Sequence, residues 1–203
     1  MSGCCGIILL QHNLKKLLPI RYPDDVYDRY WNRELDDDDW VRKTTSSTIN
    51  SQNAYNIPDV VLRTAAQSQN ASIPLNFSWS LPNSLSKYYI YFHFAEIEKL
   101  EAGQQRELTI NLNGQHYLTE SIKLDYLNPI TIVQTDQPSS GQRLYFSISA
   151  AEGTKLPPIL SAVEFFVLKE LPNKPTAVDD GMFSSLFYLP CEYCAQFAAN
   201  LHE

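Results

Sequence analysis

The sequence predicts an all-β protein, an antiparallel β-sandwich or jelly roll. Three observations carry that prediction. Tyr88–Ile97 (YYIYFHFAEI) has an aromatic or aliphatic side chain at nearly every position, as a strand does when both faces are covered. Arg106–Gly114 (RELTINLNG) alternates instead, with Leu108, Ile110 and Leu112 on one face and Thr109, Asn111 and Asn113 on the other. Asn113-Gly114 then supplies the two left-handed residues of a tight hairpin turn.

Taken in order, residues 1–20 read as a leader distinct from the rest of the chain, with one expected helical turn at Leu14–Leu18. From Arg21 the segment RYPDDVYDRYW sets turn chemistry at Pro23-Asp24-Asp25 among aromatics. Ser46–Asn56 is a polar loop, and Val60–Thr64 is expected as a short apolar strand. In Ser72–Ser80, Ile73, Leu75, Phe77 and Trp79 oppose Ser72, Asn76, Ser78 and Ser80, the pattern of a half-buried strand. Leu81–Lys87 is a turn. After Gly114 a return strand is expected over His116–Ile122, then a short strand at Thr131–Val133. Leu144, Phe146 and Ile148 alternate with Tyr145, Ser147 and Ser149, and after Pro157-Pro158 the last strand is Ala162–Leu168. Short strands joined by turns, with no long helix, describe a sandwich. The expected organisation is a leader at 1–20, one lobe at 21–178 and an atypical tail at 179–203.

A chain of 203 residues suits one sizeable core. The net charge is −7 and no basic patch stands out, so no nucleic-acid partner is expected. The acidic excess sits in Asp36-Asp37-Asp38-Asp39, which lacks the spaced ligands and glycine of a calcium loop and reads as a solvated loop. The cysteines form two close pairs, Cys4-Cys5 and Cys191/Cys194, outside the expected strands; the second has redox or zinc spacing, but a lone CxxC without βαβ context is a weak signal. No metal and no cofactor is expected. The apolar run Ile7–Leu10 is too short for a signal-peptide core or a bilayer span. Read literally, the chain has no route into the secretory pathway.

Catalytic order is missing: there is no Ser-His-Asp arrangement, nucleophile elbow, phosphate loop or HExxH. His93 and Glu96 lie three apart, which on a strand points them to opposite faces, so the reading is a hydrogen-bonded core histidine and a strand-end acid. Asp24, Asp25 and Asp28 could form the paired carboxylates of a glycoside hydrolase or its accessory domain. Asp24 and Asp25 follow a proline in a turn, however, where Asp side chains bond their own backbone. That leaves recognition. Tyr22, Tyr55, Tyr117 and Tyr126 are the loop aromatics best suited to touch a ligand. Asn70 and Asn76 begin N-x-S sequons and are the candidate glycosylation sites of a secreted form.

RYPDDVYDRYW at 21–31, Thr64-Ala65, YYIYFHFAEI at 88–97, RELTINLNG at 106–114 and LPPILSAVEFF at 156–166 resemble, in order and spacing, the malectin-like extracellular domain of plant leucine-rich-repeat receptor-like kinases. The resemblance covers about residues 21–178, a normal single-domain size. It looks like the second of that family's two tandem lobes, which implies a truncated receptor ectodomain or a non-functional gene fragment. It implies a non-enzymatic module for a carbohydrate or secreted peptide, with a co-receptor ectodomain as a further partner, at the extracellular face of the plasma membrane. It also implies that the 21–31 segment is structural, with Asp28 paired to Arg29 and Trp31 buried. Where the sugar-binding relative carries an aromatic pair after the central strand, this chain has Glu98-Lys99, neither of which offers a stacking face.

Overall fold

In the computed structural model, the described residues are 4–8, 20–33, 40–50, 55–81, 85, 87–133 and 138–168. The expected helical turn at 14–18, the acidic run at 36–39, most of the turn at 81–87, Cys191/Cys194 and the tail lie outside them.

The chain runs through β1 (Cys4–Ile8), β2 (Ile20–Arg21), β3 (Tyr30–Arg33) and β4 (Trp40–Thr44), then a single helical turn, α1 (Asp59–Leu62). There follow β5 (Thr64–Ser68), β6 (Leu75–Ser80), β7 (Lys87–Phe94), β8 (Arg106–Leu112) and β9 (Gln115–His116). The last strands are β10 (Ile122–Leu124), β11 (Ile130–Val133), β12 (Arg143–Ala150), β13 (Ile159–Leu160) and β14 (Ala162–Leu168).

Among the described residues these make three sheets: β11-β7-β14-β1-β3-β2, then β10-β8-β12-β6 with β9 on β8, and β13-β5-β4. Among the described residues the named strands pair antiparallel except β1 with β3. The two larger sheets are packed face to face through aromatics. Phe146 of β12 stacks on Phe77 of β6 at 4.8 Å between centroids and meets Phe92 of β7 and Phe165 of β14 at 5.7 and 5.9 Å. Trp79 of β6 stacks on Phe165 at 5.2 Å. Leu75, Leu108, Ile110, Leu144 and Ile148 fill the space between, all buried. The sandwich expectation holds.

Four local readings change. Residues 60–64 are not a strand: Pro58 presets its φ at −56°, Asp59 opens the turn and Arg63 returns to Asp59 at 3.2 Å, so Val61 and Leu62 are buried from a helix. A three-residue apolar run, Val60–Leu62, has too little periodicity to separate the two cases. The strand begins at Thr64 instead. The strand predicted from Ser72 starts at Leu75, because Pro74 has no N–H for the ladder. The return strand breaks after His116, where Tyr117 turns into the core, and resumes at Ile122. Finally, the leader's residues 4–8 lie as a strand between β3 and β14, with Cys4 opposite Phe166. The hairpin turn is as read: Asn113 and Gly114 have φ of 52° and 79°, and Leu112 faces Gln115.

Candidate recognition surface

Charged residues set into the sandwich hold its loops. Arg29 is 2% exposed, and its Nε donates to Asp25 Oδ1 and Oδ2 at 3.0 and 2.9 Å. Its Nη1 reaches Glu164 Oε1 at 3.3 Å, and its remaining donors go to the carbonyls of Tyr55 and Asn56. The Trp31 indole donates to Asp25 Oδ2 at 2.9 Å, and the guanidinium lies 5.0 Å from that ring. Glu164 carries the network across β14 to β7, where His93 Nε2 lies 2.9 Å from its Oε2 and His93 Nδ1 lies 2.8 Å from Thr131 Oγ1. Trp31 is fully buried, as expected, but Asp28 does not pair with Arg29. At φ 55° Asp28 turns outward and binds Arg21, which leaves Arg29 to Asp25 and Glu164.

A second cluster lies at the β7–β8 end. Arg106 is fully buried and donates to Glu96 Oε2 at 2.7 Å, to Glu98 Oε2 at 2.8 Å and to the Pro157 carbonyl. Glu98 also takes Lys43 Nζ and Gln67 Nε2, each at 2.7 Å. Glu98 is thus a structural acceptor for three side chains. His93 and Glu96 serve separate clusters, in keeping with the hydrogen-bonded histidine and strand-end acid read from the sequence.

These clusters set acid sensitivity. Burial pushes the Asp25 carboxyl up, but Arg29, Trp31 and the Tyr27 amide outweigh it and hold it below the ordinary carboxylate value. Burial likewise pushes Glu98 up, and Lys43, Gln67 and Arg106 bring it below that value. A carboxylate depressed on folding adds stability above its unfolded pKa, about 4 for these groups, and that stability is lost as pH falls through the folded value. The melting temperature is therefore expected to be insensitive to these groups above about pH 5 and to fall below about pH 4. Thermal melts across pH 2–7 check this, with a shallower acid limb expected for Glu98→Gln.

Arg106 and Glu164 were not evident as cluster members from sequence. The available signal was a charge inside an otherwise apolar run, as in Ala162–Leu168.

The four tyrosines do not converge. Tyr126 is 42% exposed and lines a groove of about 540 Å³ with Lys99, Glu101, Gln104 and Asp125. The β7–β8 and β10–β11 loops that form it are tied by the Leu127 amide to the Glu96 carbonyl at 2.8 Å and by Gln105 to Asp125 at 3.3 Å. Its floor is braced by the Glu96–Arg106 pair. Tyr22 is half-buried against the core. Tyr55 is half-buried with its ring edge-on to Tyr91 at 5.4 Å and to His93 at 6.2 Å. Tyr117, expected among exposed loop aromatics, is instead 5% exposed, and its hydroxyl donates to the Ile90 carbonyl. Asn70 lies in an exposed turn, its Oδ1 accepting the Ser72 amide at 2.9 Å, and Asn76 is exposed on β6.

Among the described residues no helix is long and apolar enough to cross a membrane. Comparison with known proteins places this geometry. The Malectin-like domain family matches residues 10–168. Receptor-like protein kinase At3g21340 of Arabidopsis thaliana is 34% identical over 161 residues, 79% of this chain and 18% of that protein. The leucine-rich repeat receptor-like serine/threonine-protein kinase At2g04300 of the same plant is 35% identical over the same length and shares. The chain thus spans about a fifth of the curated relatives it matches.

Two solved structures share the fold at low identity. One is a complex of the plant peptide RALF23 with FER and LLG2, with a TM-score of 0.63, 18% identity, and 80% of this chain and 48% of that one covered. The other is the ANXUR1 extracellular domain of Arabidopsis thaliana, with a TM-score of 0.63, 15% identity, and 82% and 48% covered. With a family match over most of its length, this chain belongs to the malectin-like domain family, and the curated relatives it resembles are plant receptor-like kinases.

Proposed function

We infer that the chain is a non-enzymatic recognition module of extracellular type, and that it holds a secreted peptide in the loop groove beside Tyr126. The observation that carries this reading is the groove itself: an exposed ring flanked by Lys99, Glu101 and Asp125, on loops pinned by a buried ion cluster. Charges of both signs beside one ring suit a peptide, whose side chains and backbone supply matching groups. The structural relative solved with a peptide and a second protein supports peptide and co-receptor partners. A carbohydrate is the second reading, favoured by the exposure of the Tyr126 ring.

The hydrolase alternative meets an obstacle at Asp25, whose two oxygens are occupied by Arg29, Trp31 and the Tyr27 amide. Biolayer interferometry of the full chain against secreted-peptide, glycan and co-receptor-ectodomain panels tests the reading. Tyr126→Ala is expected to weaken the bound partner about tenfold, the loss typical of a buried aromatic anchor. Turnover of chromogenic glycosides that disappears in Asp24→Asn or Asp28→Asn would replace it with the hydrolase.

A further inference from the structure

The outer face of the β8–β12–β6 sheet carries a polar row whose lining residues are all different from those of the Tyr126 groove. Asn76 on β6 is paired with Ser147 on β12, Ser147 with Asn111 on β8, and Asn111 with His116 on β9. One residue from each of four neighbouring strands therefore lies on a line across the sheet, three strand spacings or about 14 Å long. Tyr145, two residues before Ser147 on the same face, is 58% exposed and sits diagonal to Asn76. Together they line an open groove of about 730 Å³.

The lining is neutral. It offers amides, hydroxyls, an imidazole and one exposed ring, with no Asp, Glu, Lys or Arg among the lining residues. Amides and hydroxyls match sugar hydroxyls, and the ring suits the C–H face of a pyranose. One end of the row is itself an attachment point, because Asn76-Phe77-Ser78 is a sequon. The strand period aims Asn76 and Ser78 to the outer face while Phe77 turns inward onto Phe146.

We propose that Asn76 carries an N-linked glycan whose first sugars lie along the Asn76–Ser147–Asn111–His116 row, with Tyr145 as their stacking platform. Covalent attachment holds the sugars at high effective concentration, so contacts too weak to capture free saccharide keep them on the sheet. β6 is the edge of its sheet among the described residues, and a glycan lying there screens an edge that could otherwise pair with another chain. Asn70 differs, since it stands in a turn with its Oδ1 already engaged by Ser72.

The inference rests on the extracellular-type reading, because the modification is made in the secretory pathway. Its test needs no knowledge of the Tyr126 ligand. The full chain, secreted from a eukaryotic host behind an added signal peptide, is mapped by glycopeptide mass spectrometry. A glycan is expected on Asn76. The glycosylated protein is expected to melt about 2–4 °C above Asn76→Gln, the shift one ring contact supplies, and the gap is expected to close in a Tyr145→Ala background. Endoglycosidase release from the native protein is expected to be about 2–10-fold slower with Tyr145 than with alanine. Unmodified Asn76 in the secreted chain overturns the proposal. So does a Tyr145→Ala variant that leaves both the melting gap and the release rate unchanged. Micromolar binding of free chitooligosaccharide to Asn76→Gln, lost in Tyr145→Ala, with Asn76 unmodified in wild type, overturns it in favour of a soluble saccharide. Ligand binding at Tyr126 is measured separately on Asn76→Gln protein, so either claim can fail alone.

Discussion

Arg29→Ala is expected to lower stability by about 3–5 kcal/mol, the cost of stranding buried charge. The guanidinium is the shared partner of Asp25 and Glu164, whose side chains are 0% and 1% exposed. Without it two carboxylates remain in the interior, and Glu164 keeps only His93 while Asp25 keeps the Trp31 and Tyr27 N–H groups. Against a total stability of about 5–15 kcal/mol, that loss moves the melting temperature by about 10 °C or more. Arg29→Lys retains the charge but cannot span the fork to Asp25 and the Tyr55 and Asn56 carbonyls, so it is expected to fall between. Denaturant titration of the three proteins decides. A change under about 1 kcal/mol for Arg29→Ala would mean that water enters the cluster and solvates the carboxylates.

Phe146→Ala is expected to cost about 3–5 kcal/mol for a different reason. Phe146 is 2% exposed and touches rings from both large sheets: Phe77 beside it, Phe92 and Phe165 across the interface. Truncation leaves a cavity that three rigid rings cannot close, and the coupling between the sheets weakens with it. The adjacent Tyr145→Ala, on the outer face, is expected to change the unglycosylated protein by less than about 0.5 kcal/mol. The paired result, measured by chemical denaturation, tests the inward-outward register of β12 at two successive residues. Equal losses at both positions would contradict the sandwich packing.

Much of this architecture was legible in the sequence because it follows from periodicity. Leu144, Phe146 and Ile148 face inward in the structure because a strand alternates, and Asn113-Gly114 turns left-handed because few other pairs do so at low cost. The misreadings come from features whose cause lies elsewhere in the chain. Tyr117 looked like a loop aromatic, yet its hydroxyl finds the Ile90 carbonyl on the opposite sheet, and that partner is 27 residues away. Residues 60–64 looked like a strand because three apolar positions, Val60–Leu62, fit either period, and the Asp59–Arg63 contact settles the helix.

Of the candidate site, only Tyr126 was legible as an exposed loop ring. The grooves were not, because they depend on which strands become neighbours. Asn76, Ser147, Asn111 and His116 are scattered over more than seventy positions and meet only through the β6–β12–β8–β9 pairing. Equally, the family resemblance implied that Asp28 and Arg29, adjacent in sequence, form a pair. A left-handed φ at Asp28 sends the two side chains to different partners.

The sequence by itself determined the fold class, the strand faces and the tight turn, since each depends on short local patterns. It determined the family too, since that depends on the order and spacing of such segments along the chain. Only the tertiary structure decided which charges are buried together, which tyrosines remain in water and which polar residues line a surface. Those outcomes depend on contacts between residues far apart in the chain, and a buried charge is stable only where a distant partner completes it.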